Sequence, residues 1–311
     1  MPVEKTVMPM TVSPDKRWLI ASVRAKPSRA FTFSLNGELK PTGAGPLADS
    51  FPYITFDRSG RWLLSASYHG GLVSVNPVGA NGVVGEPLQV VPTARNAHAI
   101  QTDRTNRFVF VPHLGTDQVF QFRFDAKSGK LEANSPPWVQ LKSGCGPRHL
   151  VVSKDNRFVY VLCELDGTVS ALAHRDGVLT EVASVSTLAP ASKLKPGTAR
   201  MPDASPRDRS GDIWASDVHL TPDERFLYAA ERTQSTINCL RVDGGKLTHV
   251  GSTPTEKQPR GFAIDPSGRF IVVSGELSPT LSSYAIEGGG SLRLIGRYTG
   301  GKGANWVEIV G

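Results

Sequence analysis

The sequence predicts an all-β fold, a β-propeller built from four-stranded blades, and three observations support that prediction. First, 31 glycines and 23 prolines in 311 residues make up about one residue in six, which disfavours a largely helical chain. Second, one polar phrase recurs along the chain at regular spacing. Third, each copy of that phrase is flanked by two short apolar runs of the kind that form β-strands.

The recurring phrase is rich in Asp, Asn, Ser, Pro and Gly and always ends in arginine. Such residues between two β-rich runs indicate a tight hairpin turn. The six copies end at Arg17, Arg61, Arg107, Arg157, Arg225 and Arg269. Their spacings are 44, 46, 50, 68 and 44 residues, and four of the five match the ~40–50 residues of a propeller blade.

The long spacing contains a polar insertion, residues 190–211, and would be 46 residues without those 22. The repeat therefore predicts one propeller domain over residues 1–311, with an inserted loop at 190–211 on the funnel side. A chance repetition of turns in a two-domain sandwich protein is the alternative. In the fourth repeat the expected strands lie near Arg148–Ser153, Phe158–Cys163, Thr168–Ala173 and Thr180–Ser186.

Composition excludes several classes of protein. The formal charge is +7, and 39% hydrophobic content is typical of a folded protein rather than a disordered one. No apolar run reaches the ~18–20 residues of a membrane helix, and the first thirty residues lack an apolar segment of signal-peptide type. Cys145, Cys163 and Cys239 are too widely spaced to predict a disulfide framework or paired zinc ligands. A reducing, cytoplasmic location is the simplest interpretation.

The topology indicates where a site would lie. The first two strands of a blade, A and B, are antiparallel, so A starts where B ends. Because the innermost strand of a propeller lines its channel, polar side chains at these positions should converge on one funnel. The A starts supply His98, Arg148, His149, Asp217, His219, Arg260 and Trp306. The B ends supply Arg24, Tyr68, His69, His113, Glu164, Arg232 and Glu276. The arginines of the opposite turns instead suggest contacts between blades.

Arg148 in G-P-R-H-L and Arg260 in Q-P-R-G-F occupy equivalent points of two blades. Guanidinium groups match carboxylate and phosphate oxygens, so both are candidates to bind one anionic substrate, and bridging between blades is the alternative. Glu164 ends an otherwise apolar strand. A partly desolvated carboxylate there is a candidate general base or a simple ion-pair partner of Arg148.

The histidines allow both catalytic and packing interpretations. His98 in N-A-H-A-I is a catalytic or ligand-binding residue, or a hydrogen-bonded core histidine. In a regular strand His149 points away from Arg148, which favours packing. Asp217 and His219 share a strand face, and such a pair either orients a base or stabilises blades. The candidate substrate-binding residues are His149, Asp217, His219, Arg232, Tyr68 and Trp306.

The sequence shows no paired-ligand metal motif, no serine-nucleophile elbow and no phosphate loop, so no metal site is predicted. Its lysines and arginines are spread over the turns, the funnel and the insertion, which argues against a nucleic-acid partner. Positive charge around a funnel instead favours a small anion. We expect no membrane partner and leave the oligomeric state open.

The chain resembles the seven-bladed propeller lactonase family, from about Pro9 to the C-terminus, through three motifs: G-P-R-H-L, W-A-S-D-V-H-L-T-P-D-E-R-F-L-Y-A-A-E-R-T and Q-P-R-G-F-A-I-D-P-S-G-R-F. That family includes bacterial propeller-type 6-phosphogluconolactonases and fungal carboxy-muconate lactonizing enzymes. The resemblance implies hydrolysis of the lactone of an acidic or phosphorylated sugar, or lactonization of a muconate. It implies no required metal or organic cofactor.

The resemblance also implies a catalytic set of one histidine, two arginines and one glutamate: His98, Arg148, Arg260 and Glu164. In this interpretation Glu164 or His98 activates water, while the two arginines hold the anionic group and oppose oxyanion charge. A non-catalytic binding scaffold is the alternative from a different class. Such a scaffold would carry aromatic and apolar anchors on its rim rather than this polar cluster.

The resemblance makes the length of the chain informative. Six blades run from about Pro9 to Gly300, and Ala304–Val310 is predicted to be strand A of a seventh. In the family the other strands of that blade come from the N-terminus, where Met1–Met8 is enough for one outer strand at most. We therefore expect the blade shared by the termini to be two or three strands short, through truncation or through closure on an incomplete blade.

Overall fold

The protein is described from a computed structural model, which covers residues 6–200 and 207–310. All regular structure in these residues is β, in 24 strands. The strands form six antiparallel sheets, each made of four strands consecutive along the chain, as the repeat predicts. The described ranges contain no helix long and apolar enough to cross a membrane.

The six sheets fall into two compact units. Unit 1 is mainly Met1–Val139 and holds the first three sheets, while unit 2 is mainly Gln140–His174 with Leu179–Ile309 and holds the last three. The strands of unit 1 are β1 (Val7–Val12), β2 (Trp18–Val23), β3 (Arg29–Ser34), β4 (Lys40–Pro46), β5 (Tyr53–Phe56), β6 (Trp62–Ser67), β7 (Leu72–Pro77), β8 (Gln89–Pro92), β9 (Gln101–Thr102), β10 (Phe108–His113), β11 (Gln118–Asp125) and β12 (Lys130–Gln140). The strands of unit 2 are β13 (Pro147–Val152), β14 (Phe158–Cys163), β15 (Thr168–Arg175), β16 (Val178–Ser186), β17 (Ala215–Leu220), β18 (Phe226–Glu231), β19 (Thr236–Asp243), β20 (Lys246–Pro254), β21 (Pro259–Ile264), β22 (Phe270–Gly275), β23 (Thr280–Ile286) and β24 (Leu292–Thr299).

The hydrophobic core lies between neighbouring sheets within each unit. In unit 1, Leu64 of the second sheet and Val109 of the third belong to one buried cluster. In unit 2, Leu162 of the fourth sheet and Leu227 of the fifth belong to another buried cluster. Burial on both faces explains why the second strands are almost continuously apolar, since every residue of β10 and β18 is buried.

The recurring turn joins the first and second strands of each sheet. The residue before each arginine has a φ between 58 and 72°, and these residues are Lys16, Gly60, Asn106, Asn156, Glu224 and Gly268. Glycine and asparagine adopt this left-handed conformation at the least cost. In the second copy, Asp57 Oδ1 accepts the backbone N–H of Arg61 at 3.0 Å. Arg61 Nη2 donates to the Ala126 carbonyl at 2.6 Å, and Arg225 Nη2 donates to the Gly288 carbonyl at 2.7 Å. The predicted contacts between blades are confirmed for these two arginines.

The four strands expected in the fourth repeat are confirmed as β13 to β16, with boundaries shifted by at most two residues. The expectation for the C-terminus is wrong, because Ala304–Val310 forms no strand. A strand needs a hydrogen-bonded neighbour, and no described strand pairs with this segment. The segment instead lies against Gly261 of β21, where a Cβ atom would come within 2.7 Å of the Asn305 carbonyl oxygen.

The outer strand expected in Met1–Met8 is not seen at Val7 and Met8, which belong to the inner strand β1, and residues 1–5 lie outside the described residues. The organisation of residues 1–311 as a single domain stays a prediction. Of the insertion at 190–211, residues 201–206 also lie outside the described part of the chain. Its described residues connect β16 to β17, at the end of the blade where first strands start.

Candidate active site

In unit 2, the start of each first strand and the end of each second strand are adjacent, as the topology predicts. The backbone N–H of Glu164, directly after β14, donates to the carbonyl of Gly146, directly before β13, at 2.7 Å. Arg232 after β18 donates in the same way to Trp214 before β17, at 3.1 Å. Gly146 has a φ of 67°, so the left-handed position of the G-P-R-H-L motif is taken by the residue that adopts it most easily.

The first strands of unit 2 each contain a β-bulge near their start. The pairing shifts between Pro147 and His149, between Ala215 and Val218, and between Pro259 and Gly261. A bulge adds a residue to one strand and changes the direction of its side chains. Arg148, Asp217 and Arg260 all lie within these bulges, so the irregular positions carry the candidate residues.

The bulge at Arg148 changes its relation to His149. Arg148 Nη1 donates to His149 Nε2 at 3.0 Å, so the two side chains lie on the same side of the sheet. The prediction that His149 points away from Arg148 is wrong, because it assumes a regular strand with side chains on alternating faces.

Arg148, Glu164 and Arg232 form the centre of the site. Glu164 Oε2 accepts hydrogen bonds from Arg148 Nε at 2.8 Å and from Arg232 Nη2 at 2.9 Å. The three side chains are 2%, 6% and 3% exposed, so two cations and one anion are held away from water. Burial raises the pKa of Glu164, but the charges of Arg232 and Arg148 outweigh it and hold the pKa below its usual value. Glu164 is therefore ionised and fixes both guanidinium groups.

Asp217 extends this network on the other side of Arg148. Asp217 Oδ1 accepts from His149 Nδ1 at 2.8 Å, and Oδ2 accepts from His219 Nε2 at 3.0 Å. Because arginine can only donate, His149 Nε2 is an acceptor and its proton lies on Nδ1. Burial and the charge of Arg148 lower the pKa of His149 to about 4, so the ring is neutral at pH 7. The His149 ring therefore links Asp217 to Arg148.

The two histidines on Asp217 have pKa values shifted in opposite directions. Burial would lower the pKa of His219, but the Asp217 carboxylate outweighs burial and raises it. Burial would raise the pKa of Asp217, but His219 and His149 together hold it well below its usual range. The predicted pairing of Asp217 with His219 is confirmed. Both carboxylate oxygens are occupied, which favours a positioning role over direct contact with a substrate.

Arg260 forms a separate ion pair. Its Nη1 donates to Glu276 Oε1 at 2.9 Å, and the two side chains are 20% and 21% exposed. The arginine that shares Glu164 with Arg148 is Arg232 rather than Arg260. Arg260 still lies close enough for its charge to act on Glu164, after burial and the charges of the other two arginines.

His98 and Tyr68 belong to unit 1. The backbone N–H of His98 donates to the Pro112 carbonyl at 3.0 Å, which places it beside the end of β10 as expected for an A start. The His98 ring is buried and meets the Tyr68 ring edge-on, with the ring centres 5.6 Å apart. The catalytic role of His98 and the binding role of Tyr68 stay predictions.

Two tryptophans border the network of unit 2. Trp306 donates Nε1–H to Glu308 Oε1 at 2.8 Å, and its ring centre lies 6.3 Å from that of His149. Trp214 was not singled out by the sequence pattern. The guanidinium carbons of Arg200 and Arg232 lie over the Trp214 ring, 3.4 and 3.7 Å from its centre. The sequence signals for Trp214 are its place directly before a first strand and at the head of the motif W-A-S-D-V-H-L.

No group of three or more His, Cys, Asp or Glu side chains is arranged to hold a metal ion in the described ranges.

The comparison with known proteins gives the family. A profile described as "Lactonase, 7-bladed beta-propeller" matches residues 3–309. The chain belongs to this lactonase family. Its six four-stranded sheets are therefore propeller blades, and the predicted all-β propeller fold is confirmed.

Proteins named as lactonases resemble the chain over nearly its whole length. It is 37% identical to a 6-phosphogluconolactonase of Serratia proteamaculans over 310 residues, which are 98% of this chain and 88% of that protein. It is 38% identical to a 6-phosphogluconolactonase of Erwinia tasmaniensis over 307 residues, which are 97% and 88% of the two chains. The solved structure of a periplasmic gluconolactonase of Pseudomonas aeruginosa superposes with a TM-score of 0.82 at 28% identity, covering 95% of this chain and 86% of that one. The resemblance found from three motifs is confirmed.

Proposed function

We propose that the protein hydrolyses the lactone of an acidic or phosphorylated sugar, as a 6-phosphogluconolactonase-like enzyme. The observation that carries the proposal is the pair of buried guanidiniums, Arg148 and Arg232, fixed on one carboxylate oxygen of Glu164. Attack of water on a lactone carbonyl produces an oxyanion, and preorganised cationic donors in a dry site stabilise it strongly. The curated relatives, named 6-phosphogluconolactonases, support the same reaction.

The hydrogen bonds of the two arginines show how they are preorganised. Arg148 Nη1 also donates to the carbonyl of Ser216, and Arg232 donates to the carbonyls of Trp214 and Ala215 at 3.2 and 3.0 Å. The backbone of β17 and the residue before it thus hold both guanidiniums in place before substrate arrives. Little reorganisation is then needed as negative charge develops, which is the condition for large electrostatic stabilisation.

Water activation is assigned to Glu164. Its Oε2 carries both arginine contacts, while Oε1 has no hydrogen-bond partner among the described residues. A carboxylate whose pKa is held low is a weak base. The larger part of the acceleration therefore comes from the two arginines. Arg260 is assigned, with the arginine pair, to the oxyanion charge that develops on the lactone, and the role in proton transfer that the resemblance implies for His98 is part of the proposal.

Two further properties belong to the proposal. A reducing, cytoplasmic location is supported by Cys145, Cys163 and Cys239, which are all buried free thiols. The family description as a seven-bladed propeller supports the organisation of residues 1–311 as one domain.

A pH-indicator assay tests the reaction. Purified protein is mixed with 6-phosphogluconolactone, unphosphorylated aldono- and uronolactones, and muconolactones, and spontaneous hydrolysis is subtracted. The expected result is a rate above background on sugar lactones. An Arg148→Ala variant purified in the same way controls for a contaminating lactonase. If no lactone is hydrolysed above background, the proposal is wrong, and activity confined to muconolactones would assign the site to a lactonizing enzyme instead.

A further inference from the structure

A second group of cationic side chains lies beside the network, around a cavity of about 340 Å³ in unit 2. Four cations line the cavity: Arg200, Arg209, Arg232 and Lys257. Its other described lining residues include the hydroxyl groups of Ser210, Thr233 and Ser235 and the amide of Gln258, and no carboxylate is among them. The volume is within the range of small-molecule sites.

Among the described residues, three of the four cavity cations form no ion pair with a carboxylate. Arg207 is paired with Asp212 at 2.6 Å, and Arg232 is paired with Glu164 at 2.9 Å. Arg200, Arg209 and Lys257 have no such carboxylate partner in the part of the chain that the structure describes. Burial, and then the charge of Arg209, lower the pKa of Arg200, so the like charges are close enough to repel. The cavity therefore has a surplus of positive charge that an anion would neutralise.

Arg232 connects this cavity to the proposed reaction centre. The guanidinium that lines the cavity also donates to Glu164, which holds Arg148. Arg200 and Arg232 both pack on the ring of Trp214, so this ring holds the two guanidinium groups at the same cavity. A molecule whose anionic group occupied the cavity would place its remaining atoms next to the Arg148–Glu164–Arg232 cluster.

The insertion at 190–211 supplies two of the cations, Arg200 and Arg209, and it is hydrogen-bonded to the residues before β17. The N–H of Lys195 donates to the Gly211 carbonyl at 2.9 Å, and the N–H of Ile213 donates to the Lys195 carbonyl at 2.8 Å. Arg209 Nη1 donates to the Thr198 carbonyl at 3.3 Å. The described parts of the insertion are thus joined to each other and to the residues before β17, which gives its arginines a defined place.

We propose that this cavity binds the phosphate group of a phosphorylated sugar lactone. The inference rests on the proposed function and names the substrate class of the same site. A phosphomonoester carries between one and two negative charges near pH 7 and several strong acceptor oxygens. Three cations without a carboxylate partner among the described residues, with hydroxyl donors beside them, match that charge and acceptor number. A single carboxylate would leave most of the positive charge uncompensated. The cavity thus selects phosphorylated over unphosphorylated lactones.

Paired substrates test the site. Arg209→Gln and Lys257→Gln each remove one charge and are measured on 6-phosphogluconolactone and on gluconolactone. The ratio of the two kcat/KM values should fall about tenfold in each variant, mainly through KM for the phosphorylated lactone. Arg241→Gln, which removes an exposed cation of the same sheet outside the cavity, should leave the ratio unchanged. A ratio that stays the same in both cavity variants would overturn the proposal.

Binding of the reaction product separates this inference from the proposed function. By calorimetry the wild type should bind 6-phosphogluconate at least tenfold more tightly than gluconate. The Arg209→Gln/Lys257→Gln double variant should lose that difference while keeping its thermal unfolding midpoint, and Arg241→Gln should retain it. If no lactone is hydrolysed but the binding difference is present, the function fails and the phosphate site stands. If both lactones are hydrolysed but both acids bind equally, the function stands and the phosphate site is wrong.

Discussion

Arg148 and Arg232 donate to the same carboxylate oxygen, Oε2 of Glu164, over 2.8 and 2.9 Å. Arg148 lies at the start of β13 and Arg232 follows the end of β18, so one carboxylate joins two neighbouring blades. Two buried cations this close repel each other unless an anion lies between them. The charge of Glu164 therefore stabilises the fold at the same point where it prepares the arginines for an oxyanion.

Glu164→Gln should strongly destabilise the protein. The amide leaves two buried guanidiniums without a counter-charge, and removing one partner of a buried ion pair costs about 3–5 kcal/mol. The free energy of unfolding in urea should fall by about that amount. Glu276→Gln removes the counter-charge of Arg260. Glu276 is more exposed to water than Glu164, so its loss should lower the free energy of unfolding by about 1 kcal/mol or less. Equal losses in the two variants would contradict the assignment of Glu164 as the shared counter-charge.

Alanine variants of the arginines should separate the shared pair from Arg260. Arg148→Ala and Arg260→Ala should each lower kcat/KM by about tenfold or more, which is a loss of ~1.4 kcal/mol of transition-state stabilisation, with circular dichroism unchanged. Arg232→Ala should cost at least as much as Arg148→Ala. Because Arg148 and Arg232 act through one carboxylate, their double variant should lose less than the product of the single losses. Multiplicative losses would mean that the two arginines act independently.

Much of the fold was predictable from the sequence because its turns are encoded locally. Each turn needs a left-handed residue directly before its arginine, and Gly60 and Asn106 are of the types that adopt it. An aspartate such as Asp57 then accepts the backbone N–H groups of the turn. Every step involves residues at most five positions apart. The blade period, the four strands of each described blade and the meeting of A starts with B ends therefore follow from the pattern.

Side-chain directions at the site were not predictable in the same way. The alternation of faces fails at Arg148 because a bulge adds a residue there, and nothing in G-P-R-H-L marks it. The choice of Arg232 over Arg260 as second partner of Glu164 depends on how neighbouring blades pack. The contact of Arg200 with Trp214 brings the insertion back to the start of β17. These relations are long-range and leave no periodic signal.

Stability should depend on pH through His113. Burial lowers its pKa from 6.5 to about 4, while Nδ1 lies 2.9 Å from the Val111 carbonyl and Nε2 lies 2.9 Å from Thr93 Oγ1. Between these two pH values the unfolded chain binds a proton that the folded chain does not. The free energy of unfolding should therefore fall as pH falls from 6.5 to 4, by about 3 kcal/mol from this residue. His113→Gln should reduce that slope in urea unfolding relative to the wild type. An unchanged slope in His113→Gln would show that another group controls the acid limb.

Asp217→Asn should reveal whether Asp217 positions Arg148 through His149. The amide keeps the size of the side chain but removes the charge that holds the His149 Nδ1–H and raises the pKa of His219. The neutral amide oxygen accepts the His149 Nδ1–H less strongly than the carboxylate does, so the ring is held less firmly and so is the acceptor that it offers to Arg148 Nη1.

We expect kcat to fall about tenfold with little change in KM, because a small misplacement of a donor mainly affects the transition state. The imidazole resonances of His219 should titrate at lower pH in nuclear magnetic resonance spectra, because burial alone would lower its pKa. Asp223→Asn, at an exposed turn of the same sheet, should alter neither quantity. A shift in the His219 titration with kcat unchanged would limit Asp217 to blade stability, because the charge would then be lost without any effect on Arg148.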